Sequence, residues 1–134
     1  MKKVSVLGAG SWGTALAMVL SENSEKVVLW TLSKEQCEEI NSKKTNLKYL
    51  KDVEIPQNIV GETDIEEAVK DSELIVLAVP SQAIRSVCNQ IKSYVCEGQV
   101  VVNVAKGLEK QTGLRMSEVV LSELDAINYA VLSG

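Results

Sequence analysis

The stretch VSVLGAGSWGTALAMVL, residues 4–20, constrains this chain more than any other. A short apolar run breaks at Gly8, Gly10 and Gly13, and a charge-free segment of small and apolar residues follows. Strand, glycine turn and helix in that order describe a buried strand handing over to a helix packed directly on it. Each glycine then has its own task. Gly8 permits the tight turn, Gly10 lets the backbone approach a diphosphate, and Gly13 lets the helix lie close to the strand. The N–H groups of the first helical turn offer partial positive charge to an anion. The same spacing also suits a purely structural turn, and Trp12 is a bulky residue for a loop whose logic is close approach.

The rest of the chain alternates in the same way. Strands are expected at residues 2–7, 26–32, 73–80 and 99–105, with a short one at Ile59 and Val60 and a last one within residues 126–134. Their β-branched, continuous runs are those of strands buried on both faces. Between them lie helical patterns. The first is expected to turn Ala15, Leu16, Val19 and Leu20 inward, and a polar helix covers residues 34–43. A short helix opens on Thr63 or Asp64 as its cap. Another, capped by Ser81, carries Ile84, Val87, Cys88, Ile91 and Val95 on one stripe. The last buries Met116, Val119, Val120 and Leu124. Residues 45–61 show no period and read as a loop. Alternation from end to end, with no linker or repeat, predicts one α/β domain over residues 1–134. Its expected form is a doubly wound, mainly parallel sheet of the Rossmann type, with helices on both faces.

Composition removes several functions. A net charge of −4 argues against nucleic acid as a partner. No apolar run approaches the length that spans a bilayer, so no stable membrane insertion is expected. The opening Met-Lys-Lys and a very short apolar run do not make a signal peptide, which points to a cytoplasmic setting. Three cysteines without a CxxC spacing read as buried or half-buried free thiols, Cys37, Cys88 and Cys96. The chain contains no histidine, which excludes Ser-His-Asp and Cys-His catalysis and most zinc sites, so no metal is expected.

Ligands of an open α/β sheet sit beyond the carboxyl ends of its strands. An acid near the end of the second strand would hold a ribose. The sequence there is WTLSKE, with neither that acid nor an arginine for a 2′-phosphate. Leu32 can flank an adenine face, and Ser33 and Lys34 can reach a ribose or phosphate, although Lys34 also reads as an ordinary solvated lysine. The choice between NAD and NADP stays open. The backbone at Pro80 can lie along a bound dinucleotide. Lys106 follows the next strand at the crevice mouth, and position alone reads it more often as a solvated lysine than as a ligand.

The segments GAGSWGTALA, LWT, NLKYLKDVEIP, AVPSQAIR, AKGLE and VLSG, in order over all 134 residues, resemble the N-terminal half of bacterial-type NAD(P)-dependent glycerol-3-phosphate dehydrogenases. GSWGTA and KGLE are the distinctive pieces. The resemblance implies reversible hydride transfer between NAD(P)H and dihydroxyacetone phosphate, giving sn-glycerol 3-phosphate for glycerophospholipid synthesis. It places Ser11 and Trp12 against the cofactor, Lys106 against cofactor and substrate, and Gly134 against the substrate. It also implies that the proton-donating lysine and the phosphate-holding residues belong to a helical C-terminal domain absent from this chain. On that reading the chain has no catalytic residue of its own and is inactive alone, with a homodimer through the missing domain left open. Other readings compete. One is another two-domain reductase, of the ketopantoate reductase or 6-phosphogluconate dehydrogenase kind, against which AKGLE discriminates. The other is a nucleotide-sensing module, which usually keeps an acid at the end of strand two, or a domain of this fold that has lost its ligand.

Overall fold

The computed structural model describes residues 1–124 and the backbone of Asn128–Val131. Among the described residues six strands form one sheet: β1 (Lys3–Leu7), β2 (Lys26–Trp30), β3 (Ile59–Glu62), β4 (Leu74–Leu77), β5 (Val100–Asn103) and β6 (Asn128–Val131). Their order is β3-β2-β1-β4-β5-β6, and all pairings are parallel. The order reverses between β1 and β4. That is the doubly wound arrangement, whose switch point opens a crevice above the carboxyl ends of those two strands.

Among the described residues five α-helices accompany the sheet: α1 (Ser11–Ser21), α2 (Lys34–Glu38), α3 (Ile65–Val69), α4 (Ile84–Ile91) and α5 (Met116–Glu123). Two cores follow from the alternation of side chains along each strand. On one face Leu7, Ile75, Leu77 and Val101 pack with Ala68 of α3, Ile84, Val87 and Ile91 of α4, and Met116, Val119 and Val120 of α5. On the other, Val4, Val6, Val27, Leu29 and Ile59 pack with Ala17 of α1 and with Ile40 and Ile55. The inward stripes expected for α4 and α5 are present, although Val95 falls beyond the end of α4 and is half-buried.

Some expectations need correction. The buried residues of α1 are Gly13, Thr14, Ala17 and Ser21, whereas Ala15, Leu16 and Leu20 are half-buried and Val19 is 63% exposed. The reason is contact distance: α1 lies so close to β1 that only small side chains fit beneath it, and the large ones turn outward. β2 ends at Trp30, β4 at Leu77 and β5 at Asn103, short of Leu32, Pro80 and Ala105, the residues beyond each strand entering the loops at the carboxyl edge of the sheet. Ser81 does not cap α4. It begins a 3-10 turn (Ser81–Ala83) that precedes the helix, and no side chain caps either segment. The polar helix at residues 34–43 is α2 continued as a π-helical stretch (Glu39–Lys43), whose Asn41 exchanges hydrogen bonds with both backbone groups of Gly61 (2.8 and 3.1 Å). Of the cysteines, Cys88 is buried and Cys37 half-buried as expected, but Cys96 is exposed. Burial pushes the Cys88 thiol up to about 12, which keeps it protonated and unreactive.

Candidate functional site

The glycine turn is fixed by contacts that exclude side chains. Gly8 has φ +120°, and its N–H donates to the Trp30 carbonyl (3.0 Å) while Ala78 N–H donates to Leu7 (2.9 Å). A Cβ on Gly8 would stand 2.7 Å from the Ala78 carbonyl oxygen, and one on Gly13 only 1.9 Å from that of Gly8. Gly10 differs. Its φ is −76°, and nothing lies within 4 Å of where a Cβ would stand. Nothing in the protein's own packing therefore demands glycine at position 10. The backbone at position 10 is open toward the cleft described next. Gly10 is also the N-cap of α1, without a side-chain cap, and the first turn of the helix carries no acid. That leaves the amino end of an 11-residue helix suited to an anion.

These residues line a cleft of about 480 Å³ over the crest of the sheet, together with Ser11, Trp12, Tyr49, Ala78, Val79, Pro80, Ser81, Val104, Ala105 and Lys106. So Gly8, Gly10, Ser11, Trp12, Gly13, Pro80 and Lys106 come together from three loops. Trp12 is 57% exposed and is one of the residues that line the cleft. Ser33 lines an adjoining hollow of about 320 Å³ with Lys48 and Tyr49, Tyr49 being common to both. Its hydroxyl accepts from Gln36 N–H (3.1 Å) and so caps α2. Leu32 is 81% exposed and lines neither. Gly134 lies outside the described residues. A larger hollow of about 530 Å³, with Asp71, Glu73, Tyr94 and Gln99 on its walls, sits at the amino ends of β4 and β5, away from the crevice of such a sheet.

Two supports of the cleft escape the sequence patterns. Asn46, buried in the aperiodic loop, donates to the Ala9 carbonyl (3.0 Å) and to Thr14 Oγ1 (2.9 Å), and accepts from Gln36 Nε2 (3.1 Å). Gln36 also donates to the Ala9 carbonyl (2.6 Å). With its oxygen held by two amides, the planar trans peptide between Ala9 and Gly10 directs the Gly10 N–H the opposite way. Ser11 Oγ donates to the Tyr49 carbonyl (3.2 Å), so the same loop also braces the start of α1. An asparagine in a loop is a common turn residue, and only the GAGSWG–NLKYL pairing in space reveals this role.

The second support ties AVPSQAIR to KGLE. Arg85 of α4 grips the buried Glu109 with two bonds (2.8 and 3.0 Å) and reaches Glu123 of α5 (2.9 Å). Gln82 donates to Leu108 O (3.2 Å) and accepts from Lys110 N–H (3.1 Å). The loop that begins at Lys106 is thereby anchored to the end of β4. The Arg85 guanidinium, followed by the Thr112 hydroxyl, holds the Glu109 carboxyl below the usual carboxylate range. A depressed native pKa contributes stability at pH above the unfolded value, about 4.3, and that contribution is lost as the pH falls through the native one. Glu109→Gln is accordingly expected to lower Tm at neutral pH, with the difference from the parent chain closing below about pH 4. Melting curves across that range check it; a difference independent of pH would show that charge plays no part.

Among the described residues no group of three His, Cys, Asp or Glu side chains is placed to hold a metal, and no helix is long and apolar enough to cross a membrane.

A 3-2-1-4-5-6 parallel sheet, with a glycine turn at its switch point and a cleft open above it, defines the nucleotide-binding class of α/β domain. Residues 3–134 match the family described as NAD-dependent glycerol-3-phosphate dehydrogenase N-terminus, and the chain belongs to that family. It is 47% identical over its whole length to the glycerol-3-phosphate dehydrogenase [NAD(P)+] of Clostridium acetobutylicum and 49% identical over 98% of its length to that of a Thermoanaerobacter species. The match spans 40% and 39% of those relatives' own lengths. The crystal structure of glycerol-3-phosphate dehydrogenase from Coxiella burnetii superposes with a TM-score of 0.90 at 33% identity, over 99% of this chain and 41% of that one. These likenesses do not favour the other reductase classes or a sensing module.

Proposed function

We propose that this chain is the cofactor-binding part of a glycerol-3-phosphate dehydrogenase, holding NAD or NADP across the glycine turn and presenting it to dihydroxyacetone phosphate or sn-glycerol 3-phosphate. The observation that carries the reading is Gly10: a position with room for a side chain, kept bare beneath an open cleft and beside an uncapped helix end. The bound nicotinamide supplies or accepts a hydride. The protein's own part is to bind and orient. The amino end of α1 takes the diphosphate, Trp12 walls the cleft, and Lys106 on its anchored loop neutralises charge on the substrate, either its phosphate or an oxygen gaining electrons. No acid stands directly at the end of β2, but Glu35 and Glu39 line the neighbouring hollow together with Ser33 and Lys48, and that mixed charge leaves the choice between NAD and NADP open. Gly134 belongs to the substrate side of this proposal.

The matched relatives extend well beyond the span aligned here, and a substrate domain in that remainder would supply the proton donor and the phosphate ligands. It would also be the natural place for a dimer contact. Three cysteines without a disulfide suit a reducing, cytoplasmic setting. The test is titration of the chain with NADH and with NADPH, followed by fluorescence, together with an assay for reduction of dihydroxyacetone phosphate. Saturable binding without turnover is expected. Trp12→Ala should weaken binding about fivefold, the worth of one aromatic contact, with Tm unchanged because the side chain is mostly exposed. Turnover by these 134 residues alone would refute the division of labour.

A further inference from the structure

The connection from β5 to α5 covers residues 104–115 and contains no helix or strand of its own. A loop of that length is uncommon in a compact domain and has to be held. Apolar contacts pin its two ends, through the buried Val104 and the partly buried Ala105 and Leu114. From Lys106 to Gly113 every residue is exposed except Glu109, which is 7% exposed. The middle of the loop is therefore fastened by an ion and by no apolar side chain.

That ion is also the hub of the loop. Glu109 N–H donates to the Leu114 carbonyl (2.8 Å), and the Glu109 carbonyl accepts from Gly113 N–H (2.8 Å). Its carboxylate accepts from Thr112 Oγ1 (2.6 Å) and from the two forked bonds of Arg85. Arg85 Nη1 reaches Glu123, the last residue of α5 (2.9 Å). One guanidinium on α4 thus grips both ends of the segment that leads from the Lys106 loop through α5. The strand that follows, β6, pairs with β5 so that Val131 stands beside Asn103.

Stability does not account for the choice of an ion pair here. Removing two charges from water offsets most of their attraction, and apolar residues of similar volume would hold the loop as firmly. What a fork of two bonds adds is direction. An apolar contact lets a loop slide, whereas Arg85 and Glu109 meet in one geometry. Lys106 precedes Glu109 by three residues, so a fixed Glu109 confines it to within about 10 Å. Lys106 itself lines the nucleotide cleft.

We propose that Arg85 is a positioning residue for Lys106: through Glu109 it sets the loop that brings Lys106 to the cleft, and through Glu123 it locks that loop to α5. This rests on the reading above that Lys106 meets the cofactor.

Reductive methylation of the lysines, read by mass spectrometry with and without saturating NADH, tests it on these 134 residues. NADH is expected to slow modification of Lys106 severalfold, with Lys92 at the far end of α4 as the unchanged reference. In Arg85→Met that protection of Lys106 should largely vanish. NADH affinity should stay within about threefold of the parent, because the glycine turn makes no contact with Arg85. Arg85→Lys keeps a cation between the two carboxylates and so guards against simple unfolding. It should lose the protection as well, since one ammonium cannot form the two parallel bonds. Protection of Lys106 retained in either folded variant would overturn the proposal, as would NADH binding that leaves Lys106 unprotected in the parent. A parent chain that binds no NADH would instead refute the functional reading.

Discussion

Gly13→Ala is expected to destabilise the domain by about 3 kcal/mol or more and to abolish nucleotide binding, although it adds a single methyl group. The added carbon would sit 1.9 Å from the Gly8 carbonyl oxygen, with Ala78 Cβ at 3.3 Å behind it. Neither obstacle is the end of a flexible side chain. The oxygen belongs to the turn whose N–H is bonded to Trp30, and β1 is locked between β2 and β4. Relief requires α1 to lift from β1, which opens the core around Ala17 and withdraws the amino end of the helix from the cleft. Gly10→Ala makes the contrasting experiment. Its methyl group meets nothing, so the loss of stability should stay below about 1 kcal/mol, the usual scale of a changed N-cap. NADH affinity should still fall at least about tenfold, because the methyl takes the space in which a diphosphate approaches the backbone. Urea unfolding and NADH titration on both variants separate packing from binding. Retained affinity in Gly10→Ala would reduce the glycine turn to a structural feature.

The difference between these glycines shows what the sequence could and could not reveal. Spacing identified all three, and their context between strand and helix identified the turn, because both are local properties of the chain. The strands were legible for the same reason: β-branched runs such as residues 74–77 and 100–103 suit little else than a buried sheet. The facing of α1 was not legible. In a helix without charges, period alone cannot say which apolar stripe is inside, and the answer depended on how closely α1 approaches β1. The ends of β2 and β4 were overextended because apolar residues continue past the last ladder bond. Arg85 and Glu109 carried no role in the sequence beyond their places in AVPSQAIR and AKGLE. Their pairing depends on α4 and the KGLE loop meeting at one side of the sheet, a tertiary fact. The recognisable segments GAGSWG, AVPSQAIR and KGLE turned out to surround one cleft or to anchor its walls.

Asn46→Ala is expected to cost about 2–3 kcal/mol and to weaken NADH binding about tenfold, although Asn46 is not itself among the residues that line the main cleft. Removing the amide leaves the Thr14 hydroxyl without its buried partner, takes one of two donors from the Ala9 carbonyl and strips Gln36 of an acceptor. Groups buried in this way have no water to turn to, and each unsatisfied one carries a desolvation penalty of order 1 kcal/mol or more. The loss of affinity has a separate cause. The Ala9–Gly10 peptide is then held by Gln36 alone, and its rotation turns the Gly10 N–H away from the direction a diphosphate needs. Gln36→Ala should act the same way, and the double variant should lose less than the sum of the two, since both amides serve one carbonyl. Urea unfolding gives the stability terms, and NADH titration of the same proteins gives the affinities. If stability drops while affinity stays at the parent value in all three, Asn46 merely fastens residues 44–50 to α1. If both fall together, the aperiodic loop is part of the nucleotide site, holding from behind the backbone that the glycines leave bare in front.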